Sequence, residues 1–195
     1  MSNNNTFTLR EEILSLNKTI NNVLNLEPNI DIAIKTLHKC LKSGKKILIC
    51  GNGGSAAESD HLAAEFLIRL KPKNNRSAIP VISLCQNSSV LTACGNDLGF
   101  ESIFSRTLEA LGEKGDTLIV LSTSGQSKNI LKVLKTAKKK KIKSISFLGK
   151  KGGKALFLSN INLIIPSNDV ARIQECHLFL GHYIFSQVEK KLFNF

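Results

Sequence analysis

The sequence predicts an α/β protein: an open, doubly wound, mainly parallel five-stranded sheet, preceded by an N-terminal helical hairpin. Three observations carry this expectation. Five short apolar runs recur along the chain, and their near-continuous hydrophobicity suits strands covered on both faces, as in a parallel sheet. Most of the intervening segments place apolar residues at helical spacing. At 195 residues the chain has room for one compact domain, since domains usually hold about 100 to 200.

The elements follow in order. Leu9, Ile13, Leu16 and Ile20 recur at helical spacing, and Ile30, Ile34, Leu37 and Leu41 do the same, so residues 1–44 form the helical pair. The period then changes. Residues 45–195 carry the sandwich, with strands over 47–50, 80–84, 117–121, 144–148 and 161–165. Helices are expected over about 54–69, 88–94, 101–112 and 127–140, and a last one over about 171–192 after the stop signal of Pro166. No repeat or linker divides the chain, so 1–195 is read as a single domain.

Composition narrows the function classes. A hydrophobic fraction of 42% with 22% charged residues is globular and excludes a largely disordered chain. Ten Phe, one Tyr and no Trp imply an aliphatic core. No apolar run reaches the roughly 18 to 20 residues of a membrane span, and the polar start lacks a signal-peptide stretch, so a cytoplasmic protein with no membrane partner is expected. Cys40, Cys50, Cys85, Cys94 and Cys176 show no CxxC spacing and read as buried free thiols. A net charge of +12 suits an anionic partner. The lysines from Lys132 to Lys143 read as the solvated face of a helix, and no nucleic-acid motif accompanies them, which favours a small anion over nucleic acid.

In doubly wound sheets ligands collect outside the carboxyl ends of the strands. The first strand ends in Gly51, Asn52, Gly53, Gly54 and Ser55 and leads directly into a helix, whose unsatisfied N–H groups favour negative charge. The plain alternative is a tight turn with Ser55 as N-cap. No Lys follows the glycines and the GxGxxG spacing is absent, which disfavours ATP and dinucleotides. The third strand ends in Ser122, Thr123, Ser124, Gly125, Gln126 and Ser127, four hydroxyls around a glycine at another helix start. Such a set holds a phosphate without a metal.

Groups that move protons follow. Asp60, His61 and Glu65 lie on the helix after the first loop, and His61 and Glu65, four residues apart, share one face. Alone they read equally as a solvated ion pair. The last helix offers Gln174, Glu175, His177 and His182, with His177 expected at the surface. The stretch Gly95, Asn96, Asp97, Leu98, Gly99 and Phe100 reads as a polar loop, either a plain turn or a partner for sugar hydroxyls.

Together, Cys50 to Ala57, His61 to Glu65, Leu91 to Asp97, Ser122 to Gly125 and Arg172 to Glu175 resemble the phosphoheptose isomerase family of the sugar isomerase (SIS) superfamily, over nearly the whole chain. The resemblance implies the flavodoxin-like SIS sandwich and conversion of sedoheptulose 7-phosphate to D-glycero-D-manno-heptose 7-phosphate, the first step towards the heptose of bacterial surface glycans. It implies Glu65 and His182 as the acid–base pair, and Ser55, Ser122, Thr123, Ser124 and Ser127 around the phosphate. Asn52, Gly53, Gly54, Asn96, Asp97 and Gln174 would complete the substrate site. It also implies one zinc per site on His61, Glu65, Gln174 and His182, and a homotetramer with sites between subunits. Gln174 and His182 are separated by about 12 Å of helical rise, which independently suggests that two subunits complete each site. Val170, Ile68, Gln126 and Asn87 depart from the family pattern. The competing expectation is a non-catalytic SIS protein that binds a phosphosugar or a replication-initiator partner.

Overall fold

The computed structural model describes residues 8–194 except residue 86. Strands β1 (Ile47–Gly51), β2 (Val81–Ser83), β3 (Thr117–Ser122), β4 (Lys143–Gly149) and β5 (Ile161–Ile165) form one sheet in the order β2-β1-β3-β4-β5. Every neighbouring pair is parallel. The chain leaves β1 for β2 on one side and returns to β3 on the other, so the loops after β1 and β3 lie side by side at the switch in strand order, where doubly wound sheets bind ligands.

Alternation along the strands divides the core. Ile47, Ile49, Ile119, Leu121, Ile145 and Phe147 pack on one face with helices α2 (Glu27–Lys42), α3 (Gly54–Leu67) and α7 (Val170–Phe193). Leu48, Cys50, Leu118, Val120 and Leu148 pack on the other with α5 (Ile103–Leu111) and α6 (Lys128–Lys139). Both faces being covered, each inward Leu or Ile contributes roughly 1.5 to 3 kcal/mol, which is why the strands read as unbroken apolar runs. The five cysteines are free, and Lys132, Lys135, Lys138 and Lys139 project from α6 into solvent.

Two expectations change. Helix α1 (Leu9–Asn22) starts on a Thr8–Glu11 capping box, and a 3₁₀ turn, Val23–Leu26, joins it to α2. The cap positions around that turn all keep right-handed helical dihedrals, so the chain does not reverse there. Instead of closing on α2 as a hairpin, α1 leans on α7, and Arg172 Nη1 donates to Glu12 O at 3.3 Å. Helix α4 (Ser88–Asp97) also runs further than expected, so Gly95, Asn96 and Asp97 form its last turn rather than a loop. Its start is set by Asn87, whose Oδ1 accepts from Val90 N at 3.0 Å, and nothing crowds Gly95.

Candidate active site

The two loops that the sequence singles out end at open helix starts. Gly53, with φ of 56°, is the N-cap of α3, so Ser55 sits inside the first turn and does not cap it. A Cβ on Gly51 would lie 2.5 Å from Ser55 O, so only glycine permits so tight a strand-to-helix turn. After β3, Ser122 Oγ accepts from Gly125 N at 3.1 Å and Ser124 Oγ from Gln126 N at 3.2 Å. Gly125 has φ of 61°, and a Cβ there would run into Gly152 O, so this loop is braced by the turn after β4. Ser127 is the N-cap of α6, yet its hydroxyl makes no capping bond. Side chains cap α1, α4 and α7, whereas α3 and α6, like α2 and α5, have no N-cap side-chain bond; of their first N–H groups, Ser55 N, Ala56 N and Ile130 N already donate to Asn52 O, Gly53 O and Asn129 Oδ1. The N–H groups left over at these two neighbouring helix starts, with the hydroxyls around them, make this edge a candidate anion site. Asn52 and Asn129 exchange amide hydrogen bonds at 2.9 and 2.7 Å and tie the two loops together, a role for Asn129 that loop chemistry alone does not announce.

Helices α3 and α7 run side by side from this edge. Gly54, Glu58, His61 and Glu65 lie on one face of α3 by their spacing of four, three and four. A Cβ on Gly54 would lie 2.5 Å from Gln174 Nε2, and one on Gly181 would lie 2.6 Å from both Leu62 Cδ atoms. Glycine in the middle of a helix costs about 1 kcal/mol against alanine; here it lets α7 approach α3. The approach brings His182 Nε2 to 2.8 Å from His61 Nε2, and His61 Nε2 lies 3.5 Å from Glu65 Oε1. One ligand atom from each of the three residues falls within 4.8 Å of the others. Burial lowers the pKa of His182, the neighbouring His61 lowers it further, and Glu65 opposes both.

A single chain thus assembles His61, Glu65 and His182, and the helical-rise argument for a second subunit applies to Gln174 alone. Gln174 stands two turns earlier, at the anion end beside Gly54. Asn96 and Asp97 are exposed at the end of α4, which packs mainly on α5 and the 3₁₀ turn before it, and they bond to one another at 2.8 Å. His177 is not at the surface: it is fully buried against Phe147, its Nε2 is 3.1 Å from Leu148 O, and burial pushes its pKa down to about 4. Its lipophilic neighbours follow from α7 being covered on most sides, unlike an ordinary surface helix. Among the departures, Asn87 caps α4, Ile68 and Gln126 are exposed, and Val170 is half-exposed at the start of α7.

Two residues join the site unannounced by the sequence. Glu58, between Gly54 and His61 on the shared face, has a buried Oε2 without a hydrogen-bond partner, and burial raises its pKa to about 7 against a Ser55 hydrogen bond. Arg76 reaches back from the loop after α3, donates to Glu65 O at 3.0 Å and Phe66 O at 2.9 Å, and pairs with the buried Glu189 of α7. It therefore clamps the end of α3 that carries Glu65. A lone Arg in a polar loop gives no sign of this in the sequence.

A parallel sandwich with an anion site at its switch point and a carboxylate–imidazole cluster beside it defines a protein that handles phosphorylated sugars in the manner of SIS domains. The chain belongs to the SIS domain family, whose pattern matches residues 13–149. Within that family it is similar to the phosphoheptose isomerase of Campylobacter concisus, 43% identical over 93% of this chain and 95% of that protein. It is 47% identical to that of Clostridium acetobutylicum over 84% of this chain and 83% of that one. The solved phosphoheptose isomerase of Neisseria gonorrhoeae superposes with a TM-score of 0.86 at 33% identity, covering 94% of this chain and all of that one.

Proposed function

We infer that this chain is a phosphoheptose isomerase, an intramolecular aldose–ketose isomerase that converts sedoheptulose 7-phosphate to D-glycero-D-manno-heptose 7-phosphate through an enediol. The observation that carries the reading is the placement, within one chain, of the His61–Glu65–His182 cluster where α7 packs on α3, the helix that begins at the first of the two loops without side-chain caps. The phosphate docks on the N–H groups of α3 and α6 with the hydroxyls of Ser55, Ser122, Thr123, Ser124 and Ser127. Asn52, Gly53, Gly54 and Gln174 border the sugar chain. Glu65 removes the C1 proton of the ketose; the electron pair forms the C1–C2 double bond, and O2 takes up a proton from His182. The same pair then returns a proton to C2 and withdraws that of O1, which leaves the aldose.

Two imidazole nitrogens and a carboxylate oxygen within 4.8 Å fit the donor set zinc takes, so His61, Glu65 and His182 are suited to hold one ion, whereas Gln174, expected as the fourth ligand, stands two turns away beside Gly54 and would reach such an ion only from a second subunit. When bound, zinc supplies Lewis-acid polarisation of the carbonyl. The reading further includes a homotetramer with sites at subunit interfaces. Exposed Leu9, Ile13, Leu14, Phe179 and Tyr183 on α1 and α7 support it, as does the placement of Asn96 and Asp97 on α4, away from α3 and α7. Free thiols suit a reducing cytoplasm, and among the described residues no helix is long and apolar enough to cross a membrane. The product would feed heptose into surface glycans such as lipopolysaccharide. Nucleic acid has no part in this site.

The test is turnover of sedoheptulose 7-phosphate by the purified protein and by Glu65→Gln, with metal content measured on both. The native protein should yield the aldose. Glu65→Gln keeps shape and removes the base, so its turnover should fall by about a thousandfold or more while phosphate still binds. A native protein that binds the sugar phosphate and yields no aldose would be the non-catalytic SIS binder.

A further inference from the structure

At the end of the sheet opposite the anion loops, a cavity of about 490 Å³ opens between α2 and the first residues of β3 and β4. Lys35, Lys39, Lys45, Lys114, Lys141 and Lys143 line it, and none of its lining residues is acidic. Lys35, Lys39, Lys114, Lys141 and Lys143 are exposed around its mouth and Lys45 is half-buried. Here only Lys45 has a carboxylate, Glu113 at 3.0 Å, among the described residues. Lys39 is accounted for by the last turn of α2, where a cation offsets the helix dipole. No such reason covers Lys35 in mid-helix, Lys114 in the turn before β3 or Lys143 at the first position of β4. Water and salt screen the repulsion of like charges around such a hollow, and a multivalent anion among them would turn it into attraction.

We propose that this cavity is a second anion site, which takes a small linear polyphosphate, either inorganic or the tail of a nucleoside triphosphate. Its volume lies in the range of small-ligand pockets, about 300 to 1,000 Å³. A single phosphate engages one or two ammonium groups, whereas a triphosphate spans several. The lining contains no aromatic side chain on which bases would stack, which sets the site apart from a groove for single-stranded nucleic acid.

Calorimetric titration of the native protein with inorganic tripolyphosphate at low salt tests this, alongside Lys35→Ala/Lys114→Ala/Lys143→Ala. A control, Lys18→Ala/Lys71→Ala/Lys73→Ala, removes the same charge from exposed positions outside the cavity. The cavity variant should lose at least about tenfold of the affinity of the cavity's binding event, the control should stay within about twofold of native, and Ser124→Ala, which weakens only binding at the phosphate loop, should keep the cavity's event. Tripolyphosphate should also raise the Tm of the native protein more than that of the cavity variant, which keeps only the phosphate loop, provided both unfold cooperatively. Displacement of tripolyphosphate by ATP assigns the nucleotide source, and failure of ATP to displace it assigns the inorganic one. Equal weakening in the control, loss of binding in Ser124→Ala, or an oligonucleotide bound in a way that tripolyphosphate does not displace would each overturn the proposal.

Discussion

Glu58 is the residue whose surroundings and chemistry are least matched. It lies on α3 between Gly54 and His61, half-buried, with one carboxyl oxygen lacking a hydrogen-bond partner. Burial raises its pKa from an ordinary 4.5 to about 7, so the fold favours the neutral acid. The contribution to stability is therefore full below about pH 4.5 and is lost as pH rises through about 7. Glu58→Gln keeps the neutral shape at every pH. Between pH 5 and 8 the native Tm should fall by about 2 to 4 °C more than that of the variant, about 1 kcal/mol for a partly exposed group. Parallel pH profiles for the two proteins would place the proton elsewhere. At this scale the sequence set His61 and Glu65 on one helix face and Ser124 beside a helix start, whereas the acid–base roles of Glu65 and His182 came from the family resemblance. The sequence was silent on Glu58, Arg76 and Asn129, whose roles come from what lies opposite them in space.

Elements determine whether those groups meet. His182 reaches His61 because α7 lies against α3, and it lies there because Gly181 gives Leu62 room. Gly181→Ala should push the helices apart. Overpacking costs about 1 to 3 kcal/mol and the gain in helix propensity returns about 1, so stability should drop by at most about 2 kcal/mol. Turnover should suffer far more, by about a hundredfold, since a displacement of about 1 Å suffices for that. Equal losses in stability and turnover would mean that Gly181 is a packing residue only. The helices and strands themselves were legible from apolar period, but their ends were not: α4 carries on through Gly95, Asn96 and Asp97 because the Asn87 cap and open space around Gly95 outweigh the turn chemistry of those residues. The N-terminal pair opened for a similar reason, its connecting turn staying helical where a reversal was expected. His177 was misplaced because a 24-residue helix packed on β4, α2 and α3 buries faces that a single-sided amphipathic pattern would leave in water.

In the whole molecule, parallel topology sets the division of labour. All strand carboxyl ends and the helix starts that follow them point one way, which concentrates backbone N–H groups at the isomerase site. The amino ends of the strands point the other way, and there the unpaired lysines gather. The class of the sheet was readable, since runs apolar on both faces require a covered parallel sheet. The adjacency of the loops after β1 and β3 was not, because it depends on the switch in strand order between them.

We propose that this site isomerises a seven-carbon sugar phosphate by moving a proton between neighbouring carbons. Incubating the native protein with sedoheptulose 7-phosphate in deuterated water and reading the products by NMR tests it most directly. Deuterium at C2 of the heptose 7-phosphate, absent with Glu65→Gln, is the predicted result. An aldose free of solvent deuterium throughout the reaction would contradict the enediol route, and no aldose at all would contradict the enzyme.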